Sequence, residues 1–313
     1  MRKLVSALMA SAFVFAGVAG ASAGEIAVIV KTVNSTFWQN VQKGAEAAIK
    51  DSKDHTMTFQ GPAAESAIAD QVNMVENAVN RKVDAILLAP SDPDALTPAV
   101  KKAWEARIPV VIIDSQLADG ADKYYQSFLA TDNRKAGEAA AKALIDKAGT
   151  TGKIAVMSYV AGAGSEIGRV GGFVDYIKAN SKLEIVGPYY SQSQMATALN
   201  QTTDVLAANS DLVGIFGANE PTAIGMGRAI KQAGKAGKLT AIGFDGNQDL
   251  QEFVKDGTLN AIVVQGSYQM GEKGIETLLK VLNKEKVEKF VDTGAVVVTK
   301  DNIDQPEAKN VLY

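Results

Sequence analysis

The stretch "IAVIVKTVNSTFWQN" (26–40) holds the local pattern from which the fold of this chain can be predicted. Its first five residues, "IAVIV" (26–30), form a continuous apolar run, as is typical of a parallel strand buried on both faces. A polar elbow follows, and from Phe37 onward apolar residues recur at Val41 and Ala45 with the spacing of one helical face. The stretch therefore predicts a strand, a short turn and an amphipathic helix.

The same unit recurs along the rest of the chain. Further apolar runs that predict strands are "AILLAP" (85–90), "PVVIID" (109–114), "KIAVMSY" (153–159), "LEIVGPYY" (183–190), "VGIFGAN" (213–219), "LTAIGFD" (239–245) and "LNAIVVQ" (259–265). Helical patterns between these runs cover 68–81, a segment after 91–94, 133–148, 166–179, 195–208, 221–234, 247–256 and 269–283. One series of units lies before Thr131 and a second lies after it, so the sequence predicts an α/β fold with two doubly wound parallel-sheet lobes.

The composition excludes several classes of function. The 313 residues carry a net charge of -3, and no basic stripe of the kind that binds nucleic acid is present in the sequence. The chain has no cysteine and a single histidine, His55, which lies in a polar segment and is expected to be a solvated loop residue. The glycines of "GAGSEIG" (162–168) are spaced one residue too widely for the dinucleotide-binding fingerprint. We therefore expect neither an enzyme nor a cofactor or metal site.

The first residues predict export. Arg2 and Lys3 precede an apolar stretch (4–18), and the small residues "ASA" (21–23) form a cleavage site, so 1–23 is predicted to be a signal peptide removed after Ala23. The alternative is a membrane anchor, but a helix needs about 20 apolar residues to span a bilayer and this run is shorter. The mature protein is expected in the periplasm, and it is not expected to be embedded in the membrane.

A polar residue follows or ends most of the predicted strands. In open α/β sheets the ligand crevice lies beyond the carboxyl ends of the strands, so these residues are candidates for a shared site. The alternative for each is that it caps the next helix. Amides, carboxylates and cationic groups together suit a ligand with several hydroxyl groups, each of which both donates and accepts. The five candidates are Lys31, Asp114, Asn219, Asp245 and Gln265.

The chain resembles the ribose/galactose-type (type I) periplasmic sugar-binding proteins of ABC importers, with allose-type features. The motifs that carry the resemblance are "IAVIVKTVNSTFW", "PVVIIDS", "GSEIGRVGGF", "GANEPTAIG", "AIGFDGNQD" and "IVVQGSYQMGEKG". The resemblance implies a monomer in which two lobes, joined by a three-crossing hinge, close on a sugar or polyol and deliver it to an ABC permease. The expected lobes are 24–131 plus 266–294, and 132–265 plus 295–313.

The resemblance also implies roles for individual residues. Phe37 and Trp38 match the aromatic pair that contacts the sugar from the first lobe, and we expect Trp38 to face the cleft while Phe37 anchors the helix. Asp114 matches a carboxylate that accepts from sugar hydroxyls, and Arg169 matches an arginine that grips sugar oxygens. Lys31 stands where allose-type and autoinducer-2-type members have a lysine. Those that match the polar wall of the second lobe and hinge are Asn219, Asp245 and Gln265.

Two departures from the ribose-type pattern concern the ligand. Ser115 stands where those members have an arginine, and Gln192 or Ser193 stands where they have a second-lobe aromatic residue. Without that aromatic face the site leaves room for a linear polyol or a branched sugar. A sensory protein whose partner is a chemoreceptor or a sensor kinase is an alternative with the same fold. A repressor with this core is disfavoured, because a signal peptide occupies the place of its helix-turn-helix.

Overall fold

The computed structural model describes residues 23–313, so the predicted signal peptide lies outside the described residues except for Ala23. Within them the strands are β1 (Gly24–Ile29), β2 (His55–Gln60), β3 (Ala85–Leu88), β4 (Val110–Ile113), β5 (Ser127–Ala130), β6 (Thr151–Ser158), β7 (Lys182–Tyr190), β8 (Leu212–Gly217), β9 (Thr240–Phe244), β10 (Ala261–Gln265), β11 (Phe290–Asp292) and β12 (Ala295–Thr299). The helices are α1 (Thr36–Ile49), α2 (Ile68–Arg81), α3 (Pro93–Glu105), α4 (Asn133–Ala148), α5 (Gly164–Asn180), α6 (Met195–Ala208), α7 (Glu220–Gln232), α8 (Gln248–Lys255), α9 (Ser267–Leu282) and α10 (Pro306–Lys309). Across this described range, no helix combines the length and the apolar character that crossing a membrane requires.

The strands form two six-stranded sheets, which confirms the predicted fold class. The first has the order β11-β5-β4-β3-β1-β2 and the second has the order β12-β10-β9-β8-β6-β7. The two sheets share the same doubly wound topology. β1 lies between β2 and β3 in the first sheet, and β6 lies between β7 and β8 in the second. All neighbours run parallel except β12, which is antiparallel to β10. A parallel neighbour needs a long crossover, whereas β12 enters the second sheet directly from β11 without a helix between them.

Helices cover both faces of each sheet, so the central strands are buried on both sides. The four residues of β3 and the four of β4 are fully buried, as their continuous apolar runs predicted. In the first sheet, α1 packs beside α9 on one face and α2 beside α3 on the other. In the second sheet, α4 packs beside α5 and α6 beside α7. We define the first lobe as the first sheet with α1, α2, α3 and α9, and the second lobe as the second sheet with the remaining helices.

Close helix packing brings one site residue into position. A side chain at Gly137 on α4 would collide with the backbone oxygen of Arg169 on α5. Glycine at this position therefore lets the two helices approach until their backbones touch. The approach holds the first half of α5, and with it Arg169, close to the start of α4.

The chain passes between the two sheets three times. The passages follow β5, β10 and β11, and each contains only a few residues between elements of the two lobes. Such short connections at element ends are the usual form of a hinge between two lobes.

The structure corrects the interpretation of His55. This residue begins β2, pairs with Gly24 of β1 and is half-buried, so it is not a solvated loop residue. β2 lies at the edge of its sheet and carries exposed Thr56 and Thr58 between less exposed residues. The prediction of a loop at His55 is wrong because an edge strand alternates exposed and less exposed residues. It lacks the continuous apolar run that marks the central strands.

Candidate ligand-binding site

A narrow cavity lies between the lobes, at the carboxyl ends of both sheets. Most of the predicted site residues line it, namely Lys31, Phe37, Trp38, Asp114, Arg169, Asn219, Asp245 and Gln265. The lining residues that were not predicted are Ser35, Glu65, Tyr159, Ser165, Glu220 and Pro221.

Two aspartates occupy equivalent positions in the two lobes. Asp114 directly follows β4 and Asp245 directly follows β9. Both have a positive φ, 63° and 77° respectively, a left-handed conformation that few residues other than glycine, asparagine and aspartate adopt. Backbone strain of this kind costs about 1–3 kcal/mol and tends to cluster at functional sites. The two strand ends therefore turn in the same way, each presenting a carboxyl group to the cavity.

Lys31 and Asp114 form a buried ion pair in the first lobe. The Lys31 Nζ lies 2.7 Å from Asp114 Oδ2, and both side chains are at most 5% exposed. Ser115 supports the pair, since its Oγ accepts from Lys31 Nζ at 2.6 Å and donates to Asp114 Oδ2 at 2.9 Å. The same Oγ accepts from the backbone N–H of Ser165 in the second lobe at 3.1 Å. Ser115 therefore lies behind the cavity wall, where it holds the two charged groups.

Arg169 is the cationic group of the second lobe. Its guanidinium donates to the backbone oxygen of Ala218 at 2.7 Å, to Gln265 Oε1 at 3.1 Å and to Asn133 Oδ1 at 2.8 Å. Its charged centre lies 3.7 Å from the ring centroid of Phe244. Only 2% of the residue is exposed, so the guanidinium is shielded from solvent in this closed arrangement. All these partners belong to the second lobe, and they fix the orientation of the guanidinium.

Burial changes the acidity of the second-lobe carboxyl groups. Loss of solvation raises the pKa of Asp245 to about 7, although the Arg169 charge acts in the opposite direction. The pKa of Glu220 is also raised by burial, against hydrogen bonds from Thr36 and Tyr313. Asp245 accepts from the backbone N–H of Glu220 at 2.9 Å and from Gln265 Nε2 at 2.8 Å. Both carboxyl groups therefore have raised pKa values beside the cavity.

Aromatic side chains face the cavity from both lobes. Phe37 and Trp38 both line it and pack edge to face, with ring centroids 4.9 Å apart. The sequence predicted that only Trp38 faces the cleft, whereas both rings reach it. α1 begins at Thr36, so both residues lie in its first turn, and this turn meets the cavity end-on. Tyr159 lines the cavity from the second lobe. It directly follows β6, so the rule that selected polar residues at strand ends could have found it.

The two residues aligned with the missing aromatic face have different positions. Gln192 is exposed and is not among the cavity-lining residues. Ser193 is 9% exposed and accepts from Asn219 Nδ2 at 3.0 Å. Both residues have a φ of 56°, which turns the chain so that only the serine points inward. Asn219 also caps α7 by accepting from the Thr222 N–H, so the capping and the binding interpretations both apply to it.

Two glutamates that were not predicted from the sequence form hydrogen bonds between the lobes. Glu65 of the first lobe accepts from Ser193 of the second lobe at 2.6 Å. Glu220 of the second lobe accepts from Thr36 Oγ1 at 2.7 Å and from the Phe37 N–H at 3.3 Å. Neither glutamate follows a strand-end pattern by which the sequence could have revealed it. The structure therefore shows the two lobes in contact around an enclosed site rich in donors and acceptors.

Two α/β lobes that enclose a polar and aromatic cavity at their strand ends define a class of ligand-capturing proteins. Residues 26–286 match the model of the periplasmic binding protein domain, and the chain belongs to this family. The ribose import binding protein of Bacillus subtilis is 32% identical over 266 residues, which cover 85% of this chain and 84% of that protein. The D-allose-binding periplasmic protein of Escherichia coli is 29% identical over 289 residues, covering 89% and 93%.

Solved structures agree with this assignment. An ABC transporter solute binding protein from Agrobacterium vitis with bound D-fucose is 88% identical, with a TM-score of 0.92, and covers 93% of this chain and 100% of that chain. A carbohydrate transporter solute binding protein from Agrobacterium radiobacter, in complex with D-arabinose, is 36% identical with a TM-score of 0.89 and covers 93% and 99%. The sequence-based recognition of the family is confirmed.

Proposed function

We propose that this protein captures a monosaccharide between its lobes in the periplasm and delivers it to an ABC permease. The observation that carries the proposal is the enclosed cavity, in which a buried Lys31–Asp114 pair faces Arg169 and Asp245 of the opposite lobe. Charged groups held without solvent form strong hydrogen bonds to hydroxyl groups. The relatives named above are transport components, so transport is favoured over a sensory role.

The ligand class follows from the two kinds of surface in the cavity. Hydroxyl groups of a sugar both donate and accept, and the carboxyl, amide and cationic groups offer partners for both functions. The C–H faces of a pyranose ring pack well on aromatic rings, and the cavity has Phe37 and Trp38 on one side and Tyr159 on the other. This second-lobe aromatic removes the reason for preferring a linear polyol or a branched sugar. We propose an aldopyranose of the D-fucose type.

The proposed roles of the site residues follow from their surroundings. Asp114 and Asp245 accept from sugar hydroxyls, while Lys31 and Arg169 donate to sugar oxygens. Ser115 acts through Lys31 and Asp114, to which it is hydrogen-bonded. Further donors and acceptors are Asn219 and Gln265. Gln192 is not retained, because its side chain is exposed to solvent.

Titration calorimetry with a panel of related sugars tests this proposal. D-Fucose should bind, and D-galactose, which adds one hydroxyl at C6, measures how far the cavity tolerates an additional polar group. L-Fucose and the open-chain alcohol fucitol control for stereochemistry and for the ring. Recovery of unchanged D-fucose after incubation checks that no reaction occurs. Absence of binding by every monosaccharide in the panel would refute the proposal.

The lobes are proposed to move as two bodies that meet at the three chain crossings. The division 24–131 plus 266–294 and 132–265 plus 295–313 follows the sheets to which the strands belong. Small-angle X-ray scattering with and without D-fucose should show a smaller radius of gyration when the sugar is bound. An equal radius of gyration in both samples would contradict the proposed closure.

A further inference from the structure

Glu65 lies at the centre of a hydrogen-bonded chain that crosses the cleft. Its Oε1 accepts from Trp38 Nε1 at 2.8 Å, and its Oε2 accepts from Ser193 Oγ at 2.6 Å. Ser193 Oγ in turn accepts from Asn219 Nδ2 at 3.0 Å. Each of the four residues is at most 9% exposed. The chain thus links the aromatic wall of the first lobe to the polar wall of the second through one buried carboxyl group.

A second, larger recess lies directly beyond this chain. It has a volume of about 350 Å³ and opens between the same two lobes. Glu65 belongs to the lining of both this recess and the ligand cavity described above, so its carboxyl group stands between them. The other residues that the two linings share are Ser35, Glu220 and Pro221.

Displacing Glu65 from this position would be costly. The side chain cannot swing away without leaving the Trp38 indole N–H and the Ser193 hydroxyl unpaired in a buried place. A buried donor left without a partner loses its hydration and gains no hydrogen bond in return, which disfavours that arrangement. Ser193 also has a φ of 56°, so its hydroxyl is held in place by an unusual backbone conformation rather than by a freely adjusting loop. The barrier between cavity and recess is therefore firm in the closed protein.

We propose that Glu65 sets the size limit of the ligand, which confines the cavity to an unsubstituted monosaccharide. A sugar that carries a substituent on the hydroxyl nearest to Glu65, such as a glycoside or an O-alkyl ether, would have to extend into the recess and break the chain of hydrogen bonds. The recess, with a volume of about 350 Å³, has room for that substituent once the carboxyl group is gone. This inference rests on the proposed capture of a monosaccharide.

The test compares Glu65→Ala with Glu65→Gln, using D-fucose and a set of its methyl derivatives, each carrying one methyl group on O1, O2, O3 or O4. The measured quantity is the ratio of the affinity for each derivative to the affinity for D-fucose. In the wild-type protein every ratio should be low. In Glu65→Ala one derivative should gain about tenfold or more in its ratio, since a lost steric and hydrogen-bonding conflict of this size is about 1.4 kcal/mol.

The control variant keeps the size of the side chain. Glutamine can still accept from Trp38 and fill the space between cavity and recess, so Glu65→Gln should leave all the ratios unchanged even if it weakens binding of D-fucose itself. Ser193→Ala should do the same, because the carboxyl group remains bonded to Trp38. Melting curves of the variants establish that each is folded.

The outcomes separate the two proposals. If the wild-type protein binds D-fucose and its methyl derivatives equally, or if no ratio rises in Glu65→Ala, the size limit is not set by Glu65 and the inference is overturned while the proposed function stands. If the wild-type protein binds no monosaccharide, the proposed function is refuted and this inference is refuted with it.

Discussion

The replacement Asp245→Asn tests the electrostatics of the second lobe. In the closed protein the pKa of Asp245 is about 7, compared with an ordinary value of 3.8. The folded protein holds the proton more tightly than the unfolded chain does, so folding is penalised wherever the unfolded carboxyl is ionised. The penalty is absent below about pH 4, grows between about pH 4 and pH 7, and is complete above about pH 7.

The expected magnitude follows from this difference in pKa. At about pH 8 the penalty is about 4 kcal/mol, and at about pH 5, where the folded carboxyl is still protonated, it is about 2 kcal/mol. Asparagine has no charge to bury, but it cannot accept from both the Glu220 N–H and Gln265 Nε2, and the lost bond costs about 1 kcal/mol at either pH. The free energy of unfolding of the variant, relative to that of the wild-type protein, should therefore be about 2–3 kcal/mol higher at about pH 8 than at about pH 5.

Urea unfolding at the two pH values, with enough D-fucose present to keep the lobes closed, measures this gap once the stabilisation by the sugar, known from each protein's affinity, is subtracted. Burial also raises the pKa of Glu220, which is present in both proteins. Taking the difference between the two proteins removes the contribution of Glu220 to the pH dependence. Gln39→Ala, at an exposed position on α1 outside the cavity lining, serves as a control that should show no pH-dependent gap. An equal stability difference between Asp245→Asn and the wild-type protein at both pH values would refute the reasoning.

Three further substitutions test other contacts of the site. Arg169→Ala should weaken D-fucose binding in calorimetry by more than about 2 kcal/mol, and unchanged affinity would remove Arg169 from the site. The variant should also lower the melting temperature of the ligand-free protein, since the lost hydrogen bonds lie within one lobe. Thr36→Val deletes the 2.7 Å hydrogen bond that crosses the cleft to Glu220, so stopped-flow measurements should show release of the sugar about tenfold faster, for a loss of about 1.5 kcal/mol. An unchanged release rate would contradict a role of this bond in closure. Ser115→Ala removes the 2.6 Å acceptor of Lys31 and should weaken binding by about 1–2 kcal/mol, whereas equal affinity would mean that the Lys31–Asp114 pair needs no such support.

Most of the fold could be predicted from local patterns in the sequence. A strand buried on both faces needs a continuous apolar run, and the residues of β3, β4, β9 and β10 are buried as their runs predicted. Strands β5, β11 and β12 were not among those predicted, and β11 has only three residues, two of them exposed, so it forms no apolar run. The direction of β12 could not be predicted either, since it depends on which sheet the chain enters after a crossing.

Local patterns likewise predict some residues of the candidate site and not others. Lys31, Asp114 and Asp245 could be found because parallel strands bring their carboxyl ends to one edge, so a residue's place in its own βα unit implies its place in the molecule. No such rule applies to Glu65, which lies in a loop before α2 and meets Ser193, 128 residues away, across the cleft.

The sequence alone determined the repeated βα units, the two lobes and the edge at which a ligand must bind, because each depends on apolar periodicity within some 10 to 20 residues. Only the tertiary structure decided which side chains close the cavity. The Glu65–Ser193 and Glu220–Thr36 hydrogen bonds join residues of different lobes, and they exist only when the two lobes are brought together. The distance between two lobes is a property of the whole chain, and no local pattern encodes it.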